Sequence, residues 1–91
     1  MWFVYILYSQ KDGSLYVGCT QDLNARLKRH IAGEITCTKN HRPLALIHSE
    51  KFQNKKDAFS RERFLKSLWA GMFKKKIKEN YLAYIAKRSA K

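Results

Sequence analysis

Seven consecutive aromatic or aliphatic side chains, Trp2 to Tyr8, stand almost at the start of the chain and restrict its fold more than any other feature. The run is far short of the roughly 18 apolar residues that cross a bilayer. It has no basic stretch before it, so it does not read as a secretory leader. It predicts a strand buried on both faces. Asp12-Gly13 within the segment 10–14 is a hairpin signal, and Leu15-Tyr16-Val17-Gly18-Cys19 resumes β character. An antiparallel hairpin at the N-terminus follows.

Thr20 or Asp22 can cap a helix after the hairpin. Leu23, Leu27 and Ile31 recur at helical spacing as its inward stripe, and Arg26 and His30 share a neighbouring stripe. Gly33 suits the position just past the helix end. Residues 34–43 are polar, end in Pro43 and read as a loop, and Leu44 to Phe52 supplies a third strand. Asn54 or Asp57 opens a second helix reaching about Trp69, with an interruption at Gly71. In a last helix Phe73, Ile77, Tyr81, Tyr84 and Ile85 fall on one side, and Lys74, Lys75 and Lys78 largely on the other. No repeat or linker divides the chain, so residues 1–91 read as a single domain with a frayed tail after Ala86. The order β-β-α-β-α-α describes an α+β fold, a small three-stranded antiparallel sheet flanked by helices.

Charge gives the first functional indication. The chain carries a formal net charge of +12, with twelve Lys and Arg against three Asp and Glu in residues 55–91. Phosphate-rich polymers are the expected partners of such a field, although an anionic membrane or a ribosomal setting would also suit it. Cys19 and Cys37 are too few for a disulfide framework. The closeness of Cys37 to His41 raises the question of zinc, but nothing nearby completes four ligands. Reduced thiols and a cytoplasmic location are expected.

Ala58, Glu62, Leu65 and Trp69 fall on one helical face, which makes Glu62 the carboxylate of an otherwise apolar row. A carboxylate beside a core is costly unless a cation or hydrogen bonds satisfy it. A magnesium ligand is one reading; an ion pair with Arg26 or Arg61 is the other, and by spacing alone the simpler. Tyr5 and Tyr16 could face each other across the hairpin and orient a water, or be ordinary cross-strand packing. Arg26 offers a forked donor suited to phosphate, or a solvated surface charge. His30 could relay a proton, contact phosphate or cap its helix. Gly18 either permits close approach of a ligand or is turn chemistry.

Taken in order, these residues resemble a known family. Phe3-Val4-Tyr5 followed by Tyr16-Val17-Gly18 resembles the paired signature of GIY-YIG nucleases, with the first Gly and Ile replaced by Phe and Val. The capped segment from Thr20 through Arg26 to His30 resembles the helix carrying the family's Arg and its downstream His or Tyr. Thr38 to Leu44, then Glu50 and Phe52, resemble the small stand-alone bacterial branch, and Ala58 through Glu62 to Lys66 resembles the segment with the metal-binding Glu. The resemblance extends from about residue 2 to residue 80.

The resemblance implies a metal-dependent endonuclease that hydrolyses DNA phosphodiester bonds, structure-directed or weakly sequence-specific, in a setting such as repair or recombination. Glu62 would hold one Mg2+ (or Mn2+), and Tyr5 would act as general base or position the water, with Tyr16 beside it. Arg26 would steady the scissile phosphate and His30 would assist proton transfer. Contacts to nucleic acid are expected from Gly18, Arg29, Lys66, Lys74, Lys75 and Lys78, without a membrane partner; a monomer is favoured, with a dimer through the apolar stripe of the last helix as the alternative. Two departures weigh against strong catalysis: Cys19 stands where many relatives have Lys, and Lys74 where some have Asn. They motivate an alternative, a nucleic-acid-binding module of weak or no turnover on the same fold. A basic structural protein of a ribonucleoprotein has only the charge behind it.

Overall fold

The computed structural model describes residues 1–89. It contains strands β1 (Trp2–Ser9), β2 (Leu15–Thr20) and β3 (Leu44–Phe52) and helices α1 (Leu23–Ala32), α2 (Lys55–Lys66) and α3 (Gly71–Ser89), with single 3-10 turns at Lys39–His41 and Leu68–Ala70. The α+β order expected from sequence is the order observed.

The sheet runs β2-β1-β3, antiparallel throughout. The apolar N-terminal run is therefore the central strand, and Val4, Tyr5, Ile6 and Leu7 are all buried. Strand alternation sends Val4 and Ile6 to a core shared with Ala58 and Leu65 of α2 and with Ala70. Val17 and Cys19, directly opposite Ile6 and Val4, join them. Tyr5 turns to the other face. The register pairs Tyr5 with Gly18 and Tyr16 with Leu7. The two tyrosines are thus diagonal neighbours on one face, not the directly opposed pair that was one sequence reading.

Asp22 is the N-cap of α1, its carboxylate accepting from Ala25 N at 3.0 Å. Gly33 closes the helix in the left-handed region at φ 80°, where a side chain would be strained, and Glu34 N–H reaches back to Arg29 O at 2.9 Å. The inward face differs by one position from the expected stripe. His30 is buried and Ile31 is exposed, so Leu23, Arg26, Leu27 and His30 face inward. The cause lies beyond the helix, where the segment carrying Thr38 folds over His30 and satisfies its ring.

α2 starts one residue after its cap Asn54, whose side chain accepts from Asp57 N at 2.9 Å. It stops at Lys66 rather than near Trp69. Ser67 is extended, at φ −84° and ψ 165°, and its hydroxyl donates to Phe64 O at 2.6 Å. Gly71 does not interrupt a helix; it begins α3 with helical angles. Trp69 therefore leaves the Ala58–Glu62–Leu65 face and projects from the turn between the helices. In α3 the expected division of sides also shifts. Lys78 points inward, donating to Gly13 O at 2.7 Å and lying over the Tyr8 ring, while Tyr84 is exposed. The helix continues past Ala86 to Ser89, and the remainder of the tail expected to fray lies outside the described residues.

Arg61, one candidate partner for Glu62, is engaged elsewhere. Its guanidinium donates to both oxygens of Glu50 on β3, at 2.7 and 3.0 Å, and lies over Phe64 and Phe73. That fork fixes the rotation of α2 against the sheet and with it the direction of Glu62. Burial opposes ionisation of Glu50, but the hydrogen bonds from Arg61 and His48 win and hold its carboxyl below the usual range.

Candidate active site

A cleft of about 210 Å3 opens along edge strand β2, between α1 and α2. β1 supplies Tyr5, β2 supplies Tyr16, Gly18 and Cys19, α1 supplies Arg26 and His30, and α2 supplies Glu62 and Lys66. All five residues expected to do chemistry line this one cavity, as do Gly18 and Lys66. Arg29, Lys74, Lys75 and Lys78 do not. Arg29 faces Glu34 at 3.7 Å, and Lys78 is held by Gly13. A larger depression of about 670 Å3, lined by Lys11, Lys39 and Arg42 among others, contains none of the five.

The innermost part of the cleft is a chain of hydrogen bonds. Thr38 Oγ1 lies 2.7 Å from His30 Nδ1 and within 3.5 Å of Ile35 O. The tautomer that satisfies all these groups at once has the Thr38 hydroxyl donating to that carbonyl and accepting from His30 Nδ1–H. That tautomer leaves Nε2 with a free lone pair, to which Tyr5 Oη–H donates at 3.1 Å. Burial depresses the His30 pKa below its ordinary 6.5, reinforced by the charges of Arg26 and Arg29, so the ring is neutral at pH 7. Burial also raises the Tyr5 pKa, although Arg26 beside it pulls the other way. Tyr5 is therefore a phenol whose proton already points at a basic nitrogen.

Gly18 explains how Tyr5 is held. A Cβ built on Gly18 would fall inside contact distance of Tyr5 Oη and Cζ, and 2.9 Å from Cε1. The glycine is needed for space, not for its backbone angle. Gly18→Ala should swing the ring away from His30, costing about 1–3 kcal/mol of stability by overpacking. A displacement of about 1 Å at a reacting group can cost roughly 100-fold in rate, about 2.7 kcal/mol, which is comparable with the upper end of that stability cost. Thermal unfolding and initial rates measured together check this. Equal rates in the two proteins would show that Tyr5 is not positioned by Gly18.

Glu62 is the cleft's only carboxylate, about a quarter exposed. It is not bound by Arg26 or Arg61 in an ion pair; its partner is Lys66 Nζ at 3.1 Å, one turn along α2 and mostly exposed. An i,i+4 pair on a helix surface is worth only about 0.3–0.5 kcal/mol, and with Lys66 more than half exposed another cation can displace the ammonium. No group of three or more His, Cys, Asp or Glu gathers among the described residues. A lone carboxylate suits magnesium, which keeps several waters and binds through one or two protein carboxylates plus substrate phosphate. Cys19 contributes an uncharged thiol to the cleft, its pKa raised by burial and then by Glu62.

Sequence reasoning gave no site role to Thr38 or Ile35 and met Cys37 and His41 only as an incomplete zinc pair. Thr38 orients His30, and the others line or flank the cleft. His41 packs against Tyr16 with ring centroids 5.2 Å apart and the planes tilted by 48°, and its Nδ1 lies 2.6 Å from Asp12 Oδ2, so it is tied to the hairpin turn and not to Cys37. Nothing local marks these positions. The one available signal was the Thr at the head of the 38–44 motif, which only the fold places over His30.

Known proteins resemble this chain in sequence. The family model described as the GIY-YIG catalytic domain matches residues 1–81. A UPF0213 protein of Streptococcus sanguinis (strain SK36) is 40% identical over 79 residues, covering 86% of this chain and 82% of that one. A UPF0213 protein of Staphylococcus aureus (strain Mu3) is 41% identical over 66 residues, covering 71% and 79%. The solution NMR structure of a UPF0213 protein from Bacillus halodurans is 31% identical, covers 93% of this chain and 85% of its own, and superposes with a TM-score of 0.47. No helix among the described residues is long and apolar enough to cross a membrane.

Proposed function

The chain belongs to the GIY-YIG nuclease family, and on that premise we propose that it is a metal-dependent endonuclease hydrolysing DNA phosphodiester bonds. The observation that carries the reading is the convergence of Tyr5, Tyr16, Arg26, His30 and Glu62, from four separate elements, on one cleft.

Each side chain then has a task set by its surroundings. Tyr5 Oη accepts a proton from the attacking water as it passes its own to His30 Nε2, so a phenol of raised pKa works as a base without first becoming a phenolate. Thr38 keeps the His30 acceptor aimed at Tyr5. The Arg26 guanidinium binds the scissile phosphate and the charge that grows on it. Tyr16, packed against His41, orients the water or a phosphate oxygen from the same sheet face. Glu62 would hold Mg2+, with Mn2+ a substitute; a bound ion polarises the phosphoryl oxygen and stabilises the leaving alkoxide. Structure-directed or weakly specific cutting, in a setting such as repair or recombination, accords with a cleft whose cations Arg26 and Lys66 would meet the phosphate backbone rather than base edges.

One pH dependence follows. Only neutral His30 accepts a proton, and its folded pKa is below 6.5, so the rate should rise through a midpoint below 6.5 and be level from about pH 7. Tyr5, raised above 10.0, adds no alkaline limb in that range. A profile of initial rate at saturating magnesium checks this, and a midpoint above about 7 contradicts the neutral-histidine role.

A second reading, a binding module of little turnover, is supported by the uncharged Cys19 and by Lys66 so close to the Glu62 carboxylate. Both readings give salt-sensitive binding, so cleavage decides. The test is a panel of end-labelled single-stranded, duplex, flap and branched DNAs and one RNA, with Mg2+, Mn2+ or EDTA. Metal-dependent products establish the nuclease and name its substrate. Binding across the panel with neither metal producing cleavage establishes the module.

A further inference from the structure

The surface with no role so far is the turn between α2 and α3. Leu68 is 98% exposed, Trp69 88% and Met72 83%, three large apolar side chains in five residues left uncovered by the described residues. Isolated apolar residues on a surface need no explanation, but a contiguous group does. The turn follows directly on the part of α2 that lines the cleft. Trp69 is three residues beyond Lys66, and three residues of chain span at most about 10 Å.

The charge around the turn selects its occupant. From Arg63 to Lys78 there are six Lys or Arg and not one Asp or Glu. A second copy would bring the same six cations against these, so self-association here is opposed by like charge. An anionic partner that also presents flat apolar faces is favoured, and unpaired nucleotides are both. Trp offers the largest stacking area of any side chain, and here its ring is free of the packing that occupies Trp2, which sits edge-on to Phe59 at 5.5 Å.

We propose that Trp69 is a stacking platform for an unpaired base of the nucleic-acid substrate, with Lys66 and Lys74–Lys76 as its phosphate contacts. The proposal rests on the nuclease reading for placing the scissile phosphate in the cleft. A strand bound there carries a neighbouring nucleotide past the turn, and a fully paired duplex, its bases already stacked, gains nothing from Trp69. The substrate class is thereby narrowed to DNA with single-stranded character beside the cut: flaps, splayed junctions and unpaired ends.

Binding measured in EDTA tests this apart from catalysis. The fluorescence of wild type minus that of Trp69→Phe isolates Trp69, and is followed on adding an oligothymidylate of roughly 16 nucleotides. Quenching is expected, and Trp69→Ala should weaken binding of that strand by about 5- to 100-fold, with Trp69→Phe recovering part of the loss. The same variants should bind a duplex of equal length as wild type does. Because the side chain is exposed, the substitutions leave the core untouched. The proposal falls if Trp69 is not quenched, if duplex binding weakens as much, or if anionic phospholipid vesicles quench Trp69 and the oligonucleotide does not. It falls equally if the protein sediments as a dimer that Trp69→Ala dissociates. Quenching and selective loss in a protein that cuts nothing would support the platform and sink the nuclease.

Discussion

Tyr5→Phe should lower the cleavage rate by about 100- to 10,000-fold, the range for loss of a positioned acid–base group, with KM nearly unchanged. The substitution removes one oxygen from a ring that is otherwise retained, and that oxygen joins the water-facing cavity to His30 Nε2. The stability cost should be small, about 1–2 kcal/mol for leaving the buried His30 nitrogen unpaired. Tyr8→Phe is the matched control. It lies on the same strand but on the opposite face, packed against Tyr81 and beneath Lys78, and its hydroxyl should be dispensable. Circular dichroism and thermal unfolding confirm the fold in each variant. Full activity in Tyr5→Phe would remove Tyr5 from the proton path.

Glu62→Ala should reduce cleavage to the level seen in EDTA, a loss of several kcal/mol of transition-state stabilisation. The cleft has no second carboxylate to take over, so this is the largest effect expected of any single substitution. Glu62→Gln should be nearly as damaging, because an amide of the same shape lacks the charge that holds a divalent ion. Neither variant should unfold: the only ion pair lost is the one with the mostly exposed Lys66. DNA binding in the absence of metal should be retained or slightly strengthened, since a negative charge leaves a basic cleft. Loss of binding together with loss of cleavage would point instead to a structural role for Glu62.

The hairpin and the caps were legible in the sequence because their causes are local. Seven apolar residues in a row fit the central strand of a sheet, Asp22 and Asn54 are side chains that satisfy free helix N–H groups, and Gly33 tolerates a left-handed backbone. The candidate site was legible as a set but not as an arrangement. Glu62 stood out as a carboxylate in an apolar row, yet spacing offered it Arg26 or Arg61, and the fold gave Arg61 to Glu50.

The misreadings have a common physical origin in contacts between distant parts of the chain. Helical spacing accommodates both Leu23–Leu27–Ile31 and Leu23–Arg26–Leu27–His30 as an inward face. Apolarity favoured Ile31, but Thr38 supplies the partner that lets a polar His30 be buried instead. Trp69 looked like a core residue until Ser67 ended the helix before it. Lys78 was expected on the face away from the apolar stripe, contacting nucleic acid, but an acceptor 65 residues away at Gly13 draws it in, with its ammonium over the Tyr8 ring.

The central claim, hydrolysis directed by a divalent ion at Glu62, is tested most directly by titrating magnesium into wild type and Glu62→Ala prepared identically, on the best-cut DNA of the panel. Wild-type rate should rise with magnesium to a plateau and vanish in EDTA, while Glu62→Ala stays at the blank at every concentration. Two curves that coincide, whether both rising or both flat, would contradict it.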